Sequence, residues 1–181
     1  MGLSRYIILS LIFSFHLTQS QDVNWITLDE AQELQKKDPR NIIMDIYTDW
    51  CGPCKLMDKN TFQNPDIAKY LNENFYAVKF NAEGNSTVNY KGKDYKNPGY
   101  VEGKYGRNSS HNFTRYLGVY AYPTIVFFDD NTNPIAPITG YLTPQQIEIY
   151  LNLFRDEKYL QIKSQDDFKK FLDDFESSFK S

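Results

Sequence analysis

The sequence predicts an α/β fold with a mixed central β-sheet flanked by helices, together with a long insertion and an extra C-terminal helix. Short and nearly continuous apolar runs at 42–47, 75–80 and 124–128 are typical of strands that are buried on both faces. Segments with helix-capping signals separate and follow these runs. The resulting order, β-α-β-α followed by β-β-α, indicates a mixed sheet with helices on both faces.

The first half of the chain alternates helices with strands. Thr27 and Glu30 have the spacing of a capping box, which predicts a helix before the first strand. A second helix is predicted from about 55 to 74, with a disturbance at Asn64-Pro65 because proline lacks a backbone N–H. This helix leads into the second strand.

Residues 84–112 interrupt the pattern and are predicted to form a long surface insertion. The segment is rich in Gly, Asn, Lys and Tyr, and its cationic side chains outnumber its acidic side chains five to two. We expect a hairpin around Lys91-Gly92 and a short helix over 113–117 after the insertion. We interpret the segment as a solvated addition whose aromatic side chains pack onto the domain, and a surface that docks a partner is the alternative.

The last third of the chain predicts two strands and two helices. The strand at 124–128 is followed by a turn and a strand at 135–139, and Thr143 and Gln146 flank an N-terminal proline at the start of the next helix. Ser164 caps one more helix within a C-terminal helical appendage, residues 160–181. We interpret its apolar face as core packing rather than a dimer face. That face consists of Phe168, Phe171, Leu172, Phe175 and Phe179.

Length and charge limit the possible function classes. A chain of 181 residues suits one domain with a substantial core. Nine Gly, eight Pro and two Cys exclude a collagen-like chain and a disulfide-stapled miniprotein. A net charge of −3 gives no overall basic field, so we expect no nucleic-acid partner.

Residues 1–20 have the layout of a secretory signal peptide. Arg5 precedes an apolar stretch over 6–15, and Thr18 and Ser20 stand at the cleavage positions. The apolar stretch is too short for a spanning helix, which needs about 20 residues, and an uncleaved membrane anchor is the alternative. We therefore expect an exported domain, residues 21–181, that is soluble, monomeric, and either periplasmic or secreted.

The two cysteines point to redox chemistry. Cys51 and Cys54 lie three residues apart, between the first strand and the second helix. At the first turn of a helix, we expect Cys51 to be exposed beside free backbone N–H groups, with Cys54 one turn later and within disulfide reach. The helix N-terminus should stabilise a thiolate and lower the pKa of Cys51. Cys51 could then attack a substrate disulfide, and Cys54 could resolve the mixed disulfide.

The alternative chemistry is half of a zinc site. Zinc takes four ligands, and beyond the two cysteines only His111 and carboxylates remain in the mature chain. We therefore expect no metal.

The segment Trp50-Cys51-Gly52-Pro53-Cys54-Lys55 is similar to the active site of thioredoxins. The buried acid of that family falls on Asp45, the lysine beside that acid falls on Lys79, and the cis-proline falls on Pro123. Gly140 matches the glycine that closes the last strand.

Within that superfamily, the segments 45–51 and 59–65 resemble the periplasmic C-terminal domain of transmembrane thiol:disulfide interchange proteins and small exported thioredoxin-like proteins of bacteria. The resemblance covers about 22–154 without the insertion. It implies a thioredoxin fold and a thiol:disulfide oxidoreductase with a redox disulfide between Cys51 and Cys54.

The resemblance also implies catalytic roles. Cys51 would be the nucleophile and Cys54 the resolving thiol. Asp45, with a pKa raised by burial, and Lys79 would move the proton that activates Cys54. Strand alternation could instead turn Lys79 to solvent, and Asp45 could be an ordinary acid at the end of a strand.

The residues implied to bind substrate surround the cysteines. Pro123 and the backbone of Tyr122 would pair with an extended substrate segment. Trp50 would lie at the rim of the site, although simple core packing is the alternative. Gly52 and Pro53 complete this set. Tyr122 departs from the family, which usually has a small aliphatic residue there, and the insertion has no thioredoxin counterpart.

The favoured function is reduction of disulfides in other exported proteins, because the Gly-Pro dipeptide resembles that of reducing thioredoxins. No nicotinamide or flavin cofactor is expected, since no glycine-rich phosphate loop follows a strand. Electrons would therefore come from a membrane thiol electron donor. The alternatives are a disulfide oxidase or isomerase on the same fold, and a non-catalytic module that binds polypeptides.

Overall fold

The computed structural model describes residues 22–179. The predicted signal peptide, residues 1–20, lies outside the described residues. Within residues 22–179, none of the helices has the length and hydrophobicity needed to cross a lipid bilayer.

A four-stranded mixed sheet forms the centre of the fold, as predicted. Strand β1 pairs in parallel with β2 and antiparallel with β5, and β5 pairs antiparallel with β6, which gives the order β2-β1-β5-β6. A separate antiparallel hairpin, β3-β4, turns at Lys91-Gly92 within the insertion, where a hairpin was predicted. The strands are β1 Ile42–Tyr47, β2 Tyr76–Asn81, β3 Val88–Tyr90, β4 Lys93–Tyr95, β5 Thr124–Phe128 and β6 Pro134–Thr139.

Helices lie on both faces of this sheet. The α-helices are α1 Leu28–Gln35, α2 Gly52–Met57, α3 Pro65–Asn74, α4 Asn112–Tyr116, α5 Pro144–Arg155 and α6 Gln165–Asp173. A π-helix, Asp58–Phe62, follows α2, and a 3-10 helix, Lys158–Gln161, follows α5. The disturbance predicted at Asn64-Pro65 is a complete break, because Asn64 caps a new helix with Pro65 in its first turn.

The predicted capping residues account for the starts of three helices. Thr27 and Thr143 each take part in a complete capping box, and the Ser164 side chain accepts a hydrogen bond from the backbone N–H of Asp167. Each cap satisfies N–H groups that have no partner inside the helix.

The sheet separates two hydrophobic cores. Because side chains alternate along a strand, Ile43 contributes to the core under α3 and α5, while Met44 contributes to the core under α1 and α4. Tyr90 and Tyr95 of the insertion are buried in this second core against Phe113. The inner part of the insertion therefore packs onto the domain.

The C-terminal segment packs at the edge of the first core. Phe168, Phe171 and Phe179 are partly buried against it, but Leu172 is exposed, so the prediction that the whole apolar face is core packing is wrong for that residue. The helix lies at the periphery, and none of its own residues is fully buried. Beyond the helix, the buried carboxylate of Glu148 accepts hydrogen bonds from the backbone N–H groups of Ser178 and Phe179 and holds this segment against α5.

Candidate active site

The two cysteines form a disulfide at the start of α2, directly after β1. Their Cα atoms lie 5.3 Å apart. Cys51 is the N-cap of the helix, and its Sγ accepts a hydrogen bond from the backbone N–H of Cys54 at 3.1 Å. The N-terminal turn of α2 therefore directs an N–H group at the sulfur on which a thiolate would form.

The expected exposure of Cys51 is wrong, because its side chain is only 2% exposed. Cys51 lines a cleft of about 540 Å³ whose other walls come from distant parts of the chain. One wall is the loop before β5, which includes Tyr120 and Tyr122, and another is the end of the insertion, with Arg107 and Ser110. The expectation considered the helix of Cys51 alone, whereas residues from distant segments of the chain surround the cleft in which it lies.

A cis peptide bond between Tyr122 and Pro123 shapes the loop before β5. Pro123 is buried, and its carbonyl oxygen accepts a hydrogen bond from the backbone N–H of Gly140 at 2.9 Å. Gly140 follows β6 with φ +110°, a backbone region that favours glycine. Residue 140 thereby fixes the position of the cis-proline loop that adjoins Cys51.

Trp50 lies at the rim of this cleft and joins it to the insertion. Its indole Nε1 donates to Glu83 Oε2 at 2.8 Å, and its ring meets Tyr122 edge-on with centroids 6.1 Å apart. The backbone N–H of Asn108 donates to the same Glu83 oxygen, while the Arg107 guanidinium carbon lies 4.5 Å from the centroid of the indole. Sequence reasoning missed Glu83 and Arg107, and the only signal was the excess of cations in the insertion.

Asp45 lies on β1 and is almost completely buried, with 3% exposure. Its Oδ1 has no hydrogen-bond partner, and its Oδ2 lies 3.9 Å from Lys79 Nζ on β2. Burial raises the pKa of Asp45 to about 7, with Lys79 acting to lower it and Asp58 acting to raise it. Lys79 also pairs closely with Asp58, so one ammonium group serves two carboxylates.

Cys54 shares a second cleft, of about 370 Å³, with this charged group. Asp45, Asp58 and Lys79 all line it, and Cys51 does not. Asp58 was missed by the sequence reasoning, although its position four residues after Cys54 places it one helical turn further along. The two cysteines are therefore reached through different clefts, and the buried acid lies on the side of Cys54.

His111, the residue considered for a zinc site, has a structural role. Its Nδ1 accepts a hydrogen bond from the backbone N–H of Phe113 and caps α4, while its Nε2 lies 2.8 Å from the carbonyl oxygen of Ser86. Burial lowers the pKa of His111. Among residues 22–179, no cluster of three or more His, Cys, Asp or Glu side chains could hold a metal ion.

Comparison with known proteins decides the family. The model of a family described as a thioredoxin-like domain matches residues 28–155. The chain belongs to the thioredoxin-like family. It is similar to the thiol:disulfide interchange protein DsbD of Tatumella citrea, with 27% identity over 131 residues, which cover 71% of this chain and 19% of the relative. The chain thus spans about one fifth of the length of the curated relatives it matches.

Solved structures show the same fold. A thioredoxin-fold protein from Helicobacter pylori has a TM-score of 0.56 and 20% identity, and the match covers 75% of this chain and 81% of that one. A thioredoxin from Thermus thermophilus has a TM-score of 0.53 and 14% identity, over 80% and 91% of the two chains. The chain is therefore a thioredoxin-like domain that carries a Cys51–Cys54 disulfide at the start of α2.

The two departures from the usual thioredoxin-like pattern meet in this site. Tyr122 is half-buried and lines the Cys51 cleft together with Ser110 of the insertion. Burial is the main reason that the pKa of Tyr122 is raised. The residue before the cis-proline and the end of the insertion therefore both line the Cys51 cleft.

Proposed function

We propose that the protein catalyses dithiol–disulfide exchange on exported proteins and acts as a reductase of their disulfides. The observation that carries this proposal is the Cys51–Cys54 pair at the start of α2, with Cys51 in a cleft beside the cis-proline loop. The name of the curated relatives, thiol:disulfide interchange protein, agrees with exchange as the reaction.

The reaction consists of two displacements. The Cys51 thiolate attacks one sulfur of a substrate disulfide, forms a mixed disulfide and releases the other substrate sulfur as a thiolate. The Cys54 thiolate then attacks Cys51 Sγ, which closes the Cys51–Cys54 disulfide and releases the second substrate thiolate. The substrate gains two electrons and the protein loses two. The backbone N–H of Cys54 stabilises the attacking Cys51 thiolate.

Asp45 accepts the proton of Cys54 before the second displacement. A carboxyl group whose pKa is raised to about 7 is partly ionised near neutral pH and is able both to take and to return a proton. Asp45 and Cys54 line the same cleft, so water can connect the two groups. Lys79 supports this step by stabilising the ionised carboxylate.

The substrate-binding surface surrounds Cys51. Tyr122 and Pro123 present the cis-proline loop to an extended substrate segment, and the Trp50 ring supports Tyr122 at the rim. Gly52 and Pro53 are exposed, and a Cβ built on Gly52 would contact nothing within 4 Å. This open face leaves room for the substrate backbone.

We assign electron flow from a membrane thiol donor to this protein and from this protein to the substrate disulfide. The Gly52-Pro53 dipeptide favours reduction, and a membrane thiol donor would return the electrons, so that no nicotinamide or flavin cofactor takes part. Residues 1–20 would serve as the signal peptide, and residues 21–181 would act as a monomer in the periplasm or after secretion.

Trapping of partners tests this function. Cys54→Ala should accumulate mixed disulfides through Cys51 in the exporting cell, and these should disappear on reduction and in the Cys51→Ser/Cys54→Ala control. Absence of such adducts while Cys51 still reacts with an alkylating agent would contradict exchange.

A second measurement tests the direction of exchange. We expect rapid reduction of insulin and little rescue of scrambled substrates. A reduction potential near that of strong oxidants, about −120 mV, would contradict a reductase.

A further inference from the structure

The insertion forms part of the cleft that contains the reactive sulfur. Arg107 and Ser110 line that cleft together with Cys51, Trp50 and Tyr122. The insertion is also anchored, because Tyr90 and Tyr95 are buried in the second core and the backbone of Asn108 donates to Glu83. A substrate that reaches Cys51 therefore meets a fixed cationic side chain.

Arg107 is placed to bind a carboxylate. Its guanidinium lies over the Trp50 indole at 4.5 Å, and the residue is exposed. A guanidinium stacked on an aromatic ring keeps its N–H edge free for a carboxylate with matching planar geometry. Within the part of the chain that the structure describes, Arg107 forms no ion pair with an acidic side chain, so this edge is available.

The acidic groups around the cleft already have hydrogen-bond donors. Glu83 Oε2 accepts from Trp50 Nε1 and from the backbone of Asn108, and Asp49 accepts from the Asn81 side chain. A neighbouring cleft of about 400 Å³ shares Trp50 and Glu83 with the first and adds Lys104, which likewise lacks an acidic partner among residues 22–179. Along this wall the carboxylates are therefore already hydrogen-bonded, whereas the cationic groups of Arg107 and Lys104 have no acidic partner among residues 22–179.

We propose that Arg107 is a specificity-determining residue that binds an acidic side chain of the substrate polypeptide, close to the cysteine that Cys51 attacks. This inference rests on the proposed exchange function and adds a substrate class to it, namely disulfides flanked by Asp or Glu. Recognition occurs before bond exchange, so it affects binding and the rate of encounter rather than the electron balance.

Three matched peptide disulfides test the inference. They differ only in a Glu, Gln or Lys beside one cysteine, and the readout is the second-order rate constant for oxidation of the reduced protein, followed by quenching and thiol alkylation. We expect the Glu peptide to react faster than the Lys peptide by about fivefold, the size of effect produced by one exposed charge pair. Arg107→Gln should remove this preference, and Arg107→Glu should reverse it.

The controls separate a local effect from net charge. Lys93→Glu makes the same charge change in the insertion, on strand β4 and outside the cleft, and should keep the preference of the parent protein. The preference should also shrink at high salt. An unchanged order in Arg107→Glu, or the same reversal in Lys93→Glu, would overturn the inference. If no peptide oxidises the dithiol, including the Gln peptide, the exchange function itself fails and this inference fails with it.

Discussion

The carboxylate of Asp45 lies 3.9 Å from Lys79 Nζ, and both groups line the cleft that contains Cys54. The ammonium group is shared, because Lys79 pairs more closely with Asp58 than with Asp45. Burial raises the pKa of Asp45 to about 7 against the lowering effect of this shared cation, which is consistent with the proton transfer proposed for this group.

Replacement of the buried acid should slow the second displacement. In Asp45→Asn, Cys54 loses its proton acceptor, so we expect the rate of mixed-disulfide resolution to fall by about two orders of magnitude. Rapid-quench alkylation after mixing the reduced protein with a peptide disulfide measures this rate. Asp173→Asn, an exposed acid on α6, serves as the control. An unchanged rate in Asp45→Asn at every pH would exclude Asp45 from the proton transfer.

The same carboxyl group should make stability depend on pH. Its pKa is about 7 in the folded protein against 3.8 for an ordinary Asp, so between these values the folded state binds more protons than the unfolded state. The free energy of unfolding should therefore decrease as pH rises from 4 to 7, and the decrease should be smaller in Asp45→Asn. Urea unfolding of the oxidised protein across this range measures it, and parallel curves for the two proteins would contradict the prediction.

Asp58 and Lys79 should shift the pKa of Asp45 in opposite directions. Asp58→Asn removes a negative charge and leaves Lys79 to Asp45 alone, so the pKa of Asp45 should fall. Lys79→Met removes the cation, so the pKa of Asp45 should rise. The acid limb of the pH–rate profile for resolution should move to lower pH in the first variant and to higher pH in the second. A shift of both in the same direction would point to a structural effect instead.

Glu83 should hold the substrate cleft together. Glu83→Ala removes the acceptor shared by Trp50 Nε1 and the backbone of Asn108, which should lower the free energy of unfolding by about 2 kcal/mol. Exchange with peptide disulfides should slow more than exchange with a small aromatic disulfide, because only the peptide needs the ordered wall. Glu33→Ala, which breaks an exposed pair with Lys36 on α1, is the control and should change neither quantity measurably.

Local sequence patterns were sufficient for much of the fold and for the centre of the site. Thr27, Thr143 and Ser164 carry their signals within a single turn, and an uninterrupted apolar run is a direct sign of a buried strand. The placement of Asp45 and Pro123 near the cysteines came from spacing shared with a known family.

The errors concern contacts between residues that are far apart in the chain. Cys51 was expected to be exposed because nothing in its helix indicates that Arg107 and Tyr122 line the same cleft. Leu172 follows the apolar periodicity of α6, yet this peripheral helix has too little neighbouring surface to bury it. Hydrophobic periodicity could not predict the burial of Cys51 or the exposure of Leu172, because both depend on how a loop or a terminal helix packs against the rest of the domain.

The separation of the two clefts divides the enzyme into parts that can vary independently. Of these two clefts, the insertion lines only the one that contains Cys51, whereas Asp45, Asp58 and Lys79 line the one that contains Cys54. On the function proposed above, substitutions in the insertion should change the choice of substrate and leave the proton transfer at Cys54 unaltered. The insertion is accordingly the place to begin when engineering altered client choice on this scaffold.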